Sequence, residues 1–366
     1  MDMSVLLFTA ADGGIAFTST HADAGVQWSR QVAMSDFSIK TNQASGGTAL
    51  SHTFNPTSTS STSRMFDYQN LSIQGLDTGV DYWDNGIVIT DGWNGIIERC
   101  QIKGIAGDSV SPFEMTDGVK MVRCNDCHIV RLQTDHMENG IHATSAAPSY
   151  GDGLFIGDCR IVGVGTGILS DGSVTNAWLG ICNNHINAGI KGIDLTKIYY
   201  TPISENLIYK THVSSQNNWV GIDVASGNFN IVTRNQVGTP GAPEGVTNFG
   251  VRVAVGTDNI VADNAFANTT GNFFCVYQIS STARNIIHGN VATPPSTPSS
   301  GAMARPHRAS SMATSRSPIS PPRPAATPRL RLPISRQCAR HGQCRRDQHH
   351  HVRRWPQRTV VRTSDR

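Results

Sequence analysis

The feature that most limits how this chain can fold is a short motif that recurs along its first 293 residues. The motif is a glycine, a β-branched residue, any residue and then an apolar residue. Its copies are Gly86–Ile89, Gly118–Met121, Gly140–Ala143, Gly192–Leu195, Gly221–Val224 and Gly250–Val253, with a weaker copy at Gly167–Ser170. Such runs alternate apolar and other residues with a period of two, and Gly, Asn and Asp separate them. This pattern predicts strands and turns and argues against helices, which need a period of about 3.6.

A second pattern, a polar residue followed within two or three positions by an aliphatic or aromatic residue, recurs at spacings of 22 to 34 residues. Its copies begin at Asp36, Asn70, Cys100, Cys127, Cys159, Asn184, Asn206, Asn235, Asn264 and Asn290. Constant short motifs at a variable spacing predict a coil of fixed cross-section whose turns differ in length. Strands that occur once per coil stack in parallel about 4.8 Å apart. The sequence therefore predicts an all-β solenoid of about nine to ten coils.

The asparagine column and the Gly-Ile-x-aliphatic strands resemble the right-handed parallel β-helix of the pectin-lyase-like superfamily, which includes phage tailspikes and polysaccharide depolymerases. The resemblance covers residues 1–293. It implies that the column occupies a tight turn, where each amide can bond the Asn of the next coil. Cys100, Cys127 and Cys159 are expected to continue this column. A solenoid end needs a polar cover, and Val5–Phe8 already has a strand pattern, so we expect the N-terminal cap to be missing from this sequence.

The composition changes abruptly after residue 293. Residues 1–301 carry 15 Lys and Arg against 25 Asp and Glu, whereas residues 302–366 carry 15 Arg, no Lys and two Asp. Eleven of the 17 prolines lie at or beyond Pro294. Because the tail lacks the apolar periodicity that would offset its ordering entropy, we expect residues 294–366 to be disordered. A frameshifted reading frame is the favoured explanation, ahead of a native linker or a basic arm for nucleic acid.

Several protein classes are excluded by the composition. No stretch approaches the roughly 18 apolar residues of a membrane span, and the N-terminus lacks a basic region followed by an apolar run. Coiled coils and collagens are excluded as well, because their repeats are absent. Six of the eight cysteines lie in the repeats and two lie in the tail. We expect reduced thiols and assign no metal site to them.

The third residue of each Gly-led motif is expected to face outward, because the residues on either side of it face the core. This outer column contains Val88, Lys120, His142, Leu169, Asp194, Asp223 and Arg252. Asp194 and Asp223 belong to adjacent coils, so their Cα atoms should lie about 5 Å apart. Two carboxyl groups this close raise the pKa of one of them, and an acid beside a carboxylate at about 5 Å suits retaining glycoside cleavage.

These positions give the candidate site. Asp194, Asp223 and Arg252 are the candidate catalytic residues, and the candidate substrate-binding residues are Trp219, Tyr199, Tyr200, His142 and Lys120. Thr116–Val119 and Lys191–Asp194 each match part of the Asn-Thr-Asp-Gly-x-Asp motif of polygalacturonases, whose further elements are absent. The simpler interpretation of the column is a solvated surface ladder of charges.

A second outward column precedes the turn of the asparagine column. It contains Arg99, Asp126, Asp158, Asn183, Glu205, Arg234 and Asp263. Its charges are of mixed sign, and it spans nearly the whole solenoid. We interpret it as a solubilising surface that also discourages non-specific strand pairing.

The long face of a solenoid suits an extended polymer, and the acidic repeats argue against nucleic acid. We therefore expect a polysaccharide-binding and -cleaving protein, either a glycoside hydrolase or a polysaccharide lyase. The alternatives are a non-catalytic carbohydrate-binding adhesin or tail-fibre module, and a damaged gene product without activity. No cofactor is expected, apart from Ca²⁺ if the protein is a lyase. Polysaccharide is the expected partner, without nucleic acid or membrane. Tailspike-like relatives suggest a homotrimer with an extracellular or virion-associated location.

Overall fold

A computed structural model describes residues 4–21, 31–56, 64–105, 113–146, 151–211, 218–240, 247–268, 272–280 and 284–293. The chain divides into two units, Met1–Ser300 and Gly301–Arg366. The second unit lies wholly outside the described residues. The predictions for residues 294–366 and for an N-terminal cap therefore stay predictions.

The described residues form strands and turns, as the two-residue period predicts. The first strands are β1 (Ser4–Phe8), β2 (Ile15–His21), β3 (Gln31–Ser35), β4 (Phe37–Thr41), β5 (Thr48–Pro56), β6 (Met65–Gln69), β7 (Ser72–Gly75), β8 (Asn85–Thr90), β9 (Ile96–Glu98), β10 (Gln101–Lys103), β11 (Asp117–Val122), β12 (His128–Val130), β13 (Gln133–Asp135), β14 (Asn139–Ser145), β15 (Gly151–Asp152) and β16 (Phe155–Gly157). The remaining strands are β17 (Arg160–Gly172), β18 (Asn176–Ala177), β19 (Gly180–Cys182), β20 (His185–Leu195), β21 (Ile198–Tyr199), β22 (Pro202–Ser204), β23 (Leu207–Lys210), β24 (Trp219–Asn228), β25 (Ile231–Thr233), β26 (Gln236–Thr239), β27 (Thr247–Val255), β28 (Ile260–Ala262), β29 (Ala265–Asn268), β30 (Asn272–Gln278), β31 (Ile286–His288) and β32 (Val291–Thr293). In this part of the chain there is no helix long and apolar enough to cross a membrane.

The strands stack in parallel from one coil to the next. Ten of them, β3, β6, β9, β12, β16, β19, β22, β25, β28 and β31, form a sheet that we call the narrow sheet. The other 22 strands form one larger sheet that covers the rest of the coil. Within the narrow sheet, Ile129 of β12 lies between Ile97 of β9 and Ile156 of β16. This is the predicted right-handed parallel β-helix, and ten strands in the narrow sheet agree with the predicted nine to ten coils.

The core consists of columns of aliphatic side chains, one from each coil. The second residue of the Gly-led motif is fully buried in every copy, at Ile87, Val119, Ile141, Ile168, Ile193, Ile222 and Val251. Each such side chain contributes about 1.5–3 kcal/mol of hydrophobic stabilisation. The glycine of the motif is needed because the coils approach closely there. A Cβ atom at Gly221 would lie 2.7 Å from the carbonyl oxygen of Gly250.

The asparagine column is confirmed. The Nδ2 atoms of Asn184, Asn206, Asn235 and Asn264 each donate to the Oδ1 atom of the next member, and Asn290 is the last acceptor, at 2.9, 2.9, 3.0 and 2.9 Å. The same Oδ1 atoms accept a hydrogen bond from a backbone N–H of the preceding coil. Because buried amides need such partners, the column fixes the register of successive coils.

The predicted place of Cys127 in this column is wrong. The backbone of Gln133 donates to Cys100 and that of Arg160 donates to Leu132, so Leu132 lies between Cys100 and Cys159 in the column. Cys127 lies at the other end of the narrow sheet, where the backbone of Phe155 donates to its carbonyl oxygen. The error arose because the turns at both ends of the narrow sheet share the polar-x-aliphatic pattern. All six cysteines of the described residues are unpaired thiols, as expected.

The end of the narrow sheet that holds Cys127 carries a second asparagine ladder further along the chain, which the sequence analysis missed. The amide of Asn230 donates to Asn259 at 2.9 Å, and the amide of Asn259 donates to Asn285 at 3.1 Å. Thr201 begins this ladder through its backbone N–H, which donates to Asn230. The C-terminal coils are thus held by amide ladders at both ends of the narrow sheet.

The second outward column that the sequence predicts, next to the turn of the asparagine column, is present, but one of its predicted residues is replaced by another. We call it the corner ladder; it consists of Arg99, Arg131, Asp158, Asn183, Glu205, Arg234 and Asp263, all exposed and all with left-handed φ values between 51° and 60°. Arg131 takes the place that was predicted for Asp126. Asp126 lies instead at the Cys127 end, where the indole of Trp93 donates to it at 2.9 Å.

Candidate functional site

The outer column of the Gly-led strands is aligned as predicted. Asp194 of β20 pairs in register with Asp223 of β24, and Asp223 pairs with Arg252 of β27. Leu169 of β17 precedes Asp194 in the same column. The coil therefore places two carboxyl groups and a guanidinium group side by side, although 29 residues separate each from the next along the chain.

Asp223 is not a solvated surface charge, because it is fully buried. The Nε atom of Arg252 donates to its Oδ1 at 2.9 Å, and the Nη2 atom of Arg252 donates to its Oδ2. The ammonium group of Lys191 lies 2.8 Å from the same Oδ2. The hydrogen bonds to Asp223 raise the pKa of Arg252. Both oxygen atoms of Asp223 are thus already engaged by cations.

Asp194 is bonded on one side only. Its Oδ2 accepts a hydrogen bond from Lys191 at 2.7 Å, so that a single ammonium group bridges both carboxyl groups. Its Oδ1 is buried and has no hydrogen-bond partner among the described residues. Burial raises the pKa of Asp194, and the nearby charge of Asp223 adds to this, against the opposing effect of Lys191. Asp194 therefore keeps its proton to a higher pH than an ordinary aspartate.

A second cluster of charges lies on the same face toward the N-terminus. Asp117 is fully buried and accepts hydrogen bonds from Asn139 at 3.0 Å, from Lys120 at 2.9 Å and from Nδ1 of His142 at 3.1 Å. The Nε2 atom of His142 lies 3.0 Å from Oδ1 of Asp171, which is half-exposed. Both nitrogen atoms of His142 therefore face carboxylates.

The electrostatics of this second cluster favour the ionised forms. Burial disfavours the charged form of His142, but the hydrogen bonds to Asp117 and Asp171 outweigh it and raise the pKa of His142. Burial likewise opposes ionisation of Asp117, yet His142 and Lys120 lower its pKa overall. The predicted substrate-binding residues His142 and Lys120 do lie side by side. Their polar atoms are held by Asp117, and a direct role in binding stays a prediction.

The aromatic predictions need one correction. Trp219 is fully buried and its indole N–H donates to the carbonyl oxygen of Ala188 at 3.1 Å, so it cannot stack on an external ligand. It lies two residues before Gly221, a position that faces the core. Tyr199 is half-buried and Tyr200 is exposed, five and six residues past Asp194 on the same coil. Tyr200 stacks with Trp178 and Phe229 rather than beside Asp194.

Sequence reasoning assigned no role to Lys191 and Asp117, which organise the two clusters, although both lie within the matched segments Lys191–Asp194 and Thr116–Val119. Each stands immediately before the glycine of its motif, in Lys191–Asp194 and in Asp117–Lys120. The hydrogen bonds show that the residue before the glycine reaches the outer column three positions later. The available signal was therefore a charged residue before the glycine whose charge is opposite to that of the third motif residue. This pattern predicts an ion pair between the two side chains.

Metal binding has no support in the part of the chain that the structure describes. No group of three or more His, Cys, Asp and Glu side chains there could hold an ion. Burial raises the pKa of the Cys100 thiol to about 11 and that of Cys159 to about 12.

Solved structures with similar architecture are distant in sequence. The Dettilon tailspike protein (gp208) is 14% identical with a TM-score of 0.38, and the match covers 78% of this chain and 61% of that one. The GH136 lacto-N-biosidase from Eubacterium ramulus is 10% identical with a TM-score of 0.39, covering 67% and 51%. A mutant of the periplasmic alginate epimerase AlgG is 10% identical with a TM-score of 0.39, covering 79% and 78%. The chain thus spans about three fifths of the tailspike and half of the lacto-N-biosidase. No curated protein matches the sequence.

A family model matches residues 78–293, which is more than half of the chain and contains both charge clusters. The family is described as periplasmic copper-binding protein (NosD). The described residues do not fit a copper ion, because they contain no group of three or more His, Cys, Asp and Glu side chains that could hold one. The residues that the family model matches are coils of the parallel β-helix. We conclude that this chain belongs to the NosD family.

Proposed function

We propose that the chain binds and cleaves a polysaccharide along the face that carries Asp194 and Asp223. The observation that carries the proposal is the Asp194 side chain, which is 18% exposed on the outer column, has an unpartnered Oδ1 atom and shares Lys191 with Asp223. A carboxyl group with a raised pKa can give up a proton at a pH where ordinary aspartates have already lost theirs. Such groups are the proton donors of glycoside cleavage.

In this proposal Asp194 is the catalytic acid. Its proton goes to the glycosidic oxygen, the bond from that oxygen to the sugar carbon breaks, and water adds its hydroxyl to the carbon and returns a proton to the site. Asp223 holds Lys191 and Arg252 in place, because both of its oxygen atoms are bonded to them. Arg252 and Lys191 then present positive charge to a substrate with acidic groups.

β-elimination on the same face is the lyase form of this proposal, and it would use Ca²⁺ held partly by carboxylates. Lys120, His142, Tyr199 and Tyr200 remain the proposed binding residues further along the face. The family description supports a location outside the cytoplasm.

The test is a panel of neutral and acidic polysaccharides incubated with the full chain. New reducing ends report cleavage of either kind, and ultraviolet absorbance of unsaturated sugars identifies β-elimination. Asp194→Asn should lower the cleavage rate about 100-fold or more, which is the scale of acid catalysis. The matched control is Asp263→Asn, an exposed carboxyl group on the corner ladder, which should cleave like the wild type. Equal cleavage by Asp194→Asn would rule out the assignment.

A non-catalytic carbohydrate-binding module is the second candidate, and the saturation of Asp223 by two cations favours it. A fully paired carboxylate is a structural element rather than a nucleophile. Retention of a glycan by the wild type without any cleavage across the panel would establish this alternative.

A further inference from the structure

We propose that two copies of this chain associate through the outer face of the narrow sheet, with their coil axes antiparallel. In β12, β16, β19, β22, β25 and β28 the middle residue is buried and the first is not, so the first and third residues face away from the core, although the small third residues Gly157 and Ala262 are themselves buried. The first positions hold His128, Phe155, Gly180, Pro202, Ile231 and Ile260, and the third positions hold Val, Gly, Cys, Ser, Thr and Ala. None of these twelve residues is Asp, Glu, Lys or Arg.

This lack of charge is specific to the narrow sheet. The outer column of the larger sheet carries Lys120, His142, Asp194, Asp223 and Arg252 over the same stretch of coils. Contiguous uncharged and apolar surface on a folded domain marks an interaction site. The inferred face is separate from the clusters around Asp194 and Asp117, and Tyr200 at its edge is the one residue that it shares with the proposed binding residues. Association and cleavage are measured separately, so the inference stands or falls independently of the proposed function.

One edge of the face carries a stack of three aromatic side chains from successive coils. Trp178, Tyr200 and Phe229 are 58%, 47% and 44% exposed. Their ring centroids lie 5.6 and 5.1 Å apart. All three have left-handed φ values, a conformation that large residues adopt only at a cost. Exposed aromatic side chains are enriched at protein interfaces.

The opposite edge is the corner ladder, whose charge order selects the partner. From β12 to β28 the order is Arg131, Asp158, Asn183, Glu205, Arg234, Asp263. A two-fold axis along the strands, between β19 and β22, reverses this order in the second copy. Arg131 then faces Asp263 of the second copy, Asp158 faces Arg234, and Asn183 faces Glu205. No like charges meet along the corner ladder, which is the complementarity expected of an isologous interface. At the aromatic edge Asp126 faces Asp258 of the second copy, but each is engaged within its own copy, Asp126 by the indole of Trp93 and Asp258 by Arg284.

The aromatic edge fits the same axis. Trp178 comes beside Tyr200 of the second copy, and Phe229 comes over Gly153 of the second copy, which leaves room for the ring. A two-fold axis along the coil would instead bring the corner ladder against the aromatic stack. The charges and the aromatic side chains therefore favour the antiparallel arrangement over a parallel one.

The size of the face predicts a weak dimer. Six strands about 4.8 Å apart and about five residues across give roughly 400 Å² on each copy. Stable complexes bury about 800 Å² on each partner. The dimer should therefore form in the micromolar concentration range, where sedimentation velocity on the full chain can follow it.

Two charge reversals test the pairing. In a homodimer of Asp158→Arg or of Arg234→Asp, positions 158 and 234 carry like charges and face each other at two places. Each variant alone should therefore raise the dissociation constant of the dimer at least tenfold. An equimolar mixture of the two variants restores both opposite-charge pairs and should dimerise like the wild type. Arg160→Glu, which reverses an exposed charge on β17 in the larger sheet, is the control and should change nothing.

The mixture also guards against misfolding, since a damaged variant could not regain association on mixing. A monomeric wild type at every concentration up to about 1 mM would overturn the proposal. So would a wild-type trimer, or a mixture that dimerises no better than the separate variants.

Discussion

Two charge clusters on one face of the coil are built from the same two motif positions but end in different states. The Asp194 cluster comprises Lys191, Asp194, Asp223 and Arg252, and the His142 cluster comprises Asp117, Lys120, Asn139, His142 and Asp171. In the His142 cluster the buried carboxyl group of Asp117 accepts three hydrogen bonds. In the Asp194 cluster one buried carboxyl oxygen accepts none.

The difference comes from the neighbouring coils. Asn139 lies next to Asp117 in register and donates to it. Asp194 lies between Leu169, which has no donor, and Asp223, which is itself an acceptor. Lys191 is followed in its column by Val220 rather than by a second donor. One backbone arrangement thus supports both a saturated and an unsaturated cluster, and only the unsaturated one has the features of a proton donor.

The largest stability effect is expected from Asp223→Asn. The substitution leaves Arg252 without its buried counter-charge and Lys191 with Asp194 as its one carboxylate partner among the described residues, which should cost about 3 kcal/mol in the free energy of unfolding. Urea unfolding of both proteins measures it. The control Glu205→Gln breaks an exposed pair with Arg234 and should cost less than about 1 kcal/mol. A similar loss in both variants would mean that Asp223 is not the centre of its cluster.

Asp117→Asn tests the saturated cluster and should cost about 2 kcal/mol, because the hydrogen bonds from Lys120 and His142 lose their charge. The loss should stay below that of Asp223→Asn, since only Asp223 faces two permanent cations. Urea unfolding at neutral pH measures both. A loss greater than that of Asp223→Asn would reverse the comparison.

The two clusters should also differ in their response to pH. The pKa of His142 is raised in the folded state. Protonated His142 therefore stabilises the fold fully at pH values below the ordinary pKa of histidine, and this stabilisation is lost as the pH rises through the raised pKa of the folded state. The wild type should therefore exceed His142→Gln by about 1–2 kcal/mol near pH 6, and the gap should shrink toward pH 9. A gap independent of pH would mean that His142 is held as the neutral form.

The smallest effect is expected for Asp194→Asn, which should change the free energy of unfolding by less than about 0.5 kcal/mol or increase it slightly at neutral pH. A carboxyl group whose pKa is raised in the folded state destabilises that state once it ionises, so its amide removes a penalty. Lys191 keeps Asp223 as a partner. Thermal unfolding of the two proteins measures the difference, and a loss above about 1 kcal/mol would mean that Asp194 is structural.

Much of the fold could be predicted because its information is local and periodic. The Gly-led strands and the column from Asn184 to Asn290 recur with constant internal spacing, so the parallel register of Asp194, Asp223 and Arg252 followed from alignment of the repeats alone. The misplacement of Cys127 shows the limit of this reasoning, because the turns at the two ends of the narrow sheet share one short pattern.

What could not be predicted depends on contacts between coils. The burial of Asp223 depends on Lys191 and Arg252 from the coils on either side. Trp219 was assigned to the surface because its own segment does not reveal that Ala188, 31 residues away, accepts its N–H. The unpartnered oxygen of Asp194 is likewise a property of three coils at once, and motif spacing does not encode it.

The most direct test of the account is a carbon-13 NMR titration of the Asp194 carboxyl group in the full chain, with the signal assigned by its loss in Asp194→Asn. We expect a titration midpoint above that of an ordinary aspartate, and a further rise of the midpoint in Lys191→Gln, because Lys191 opposes the effect of burial. A midpoint at or below the ordinary value, unchanged by Lys191→Gln, would contradict this expectation.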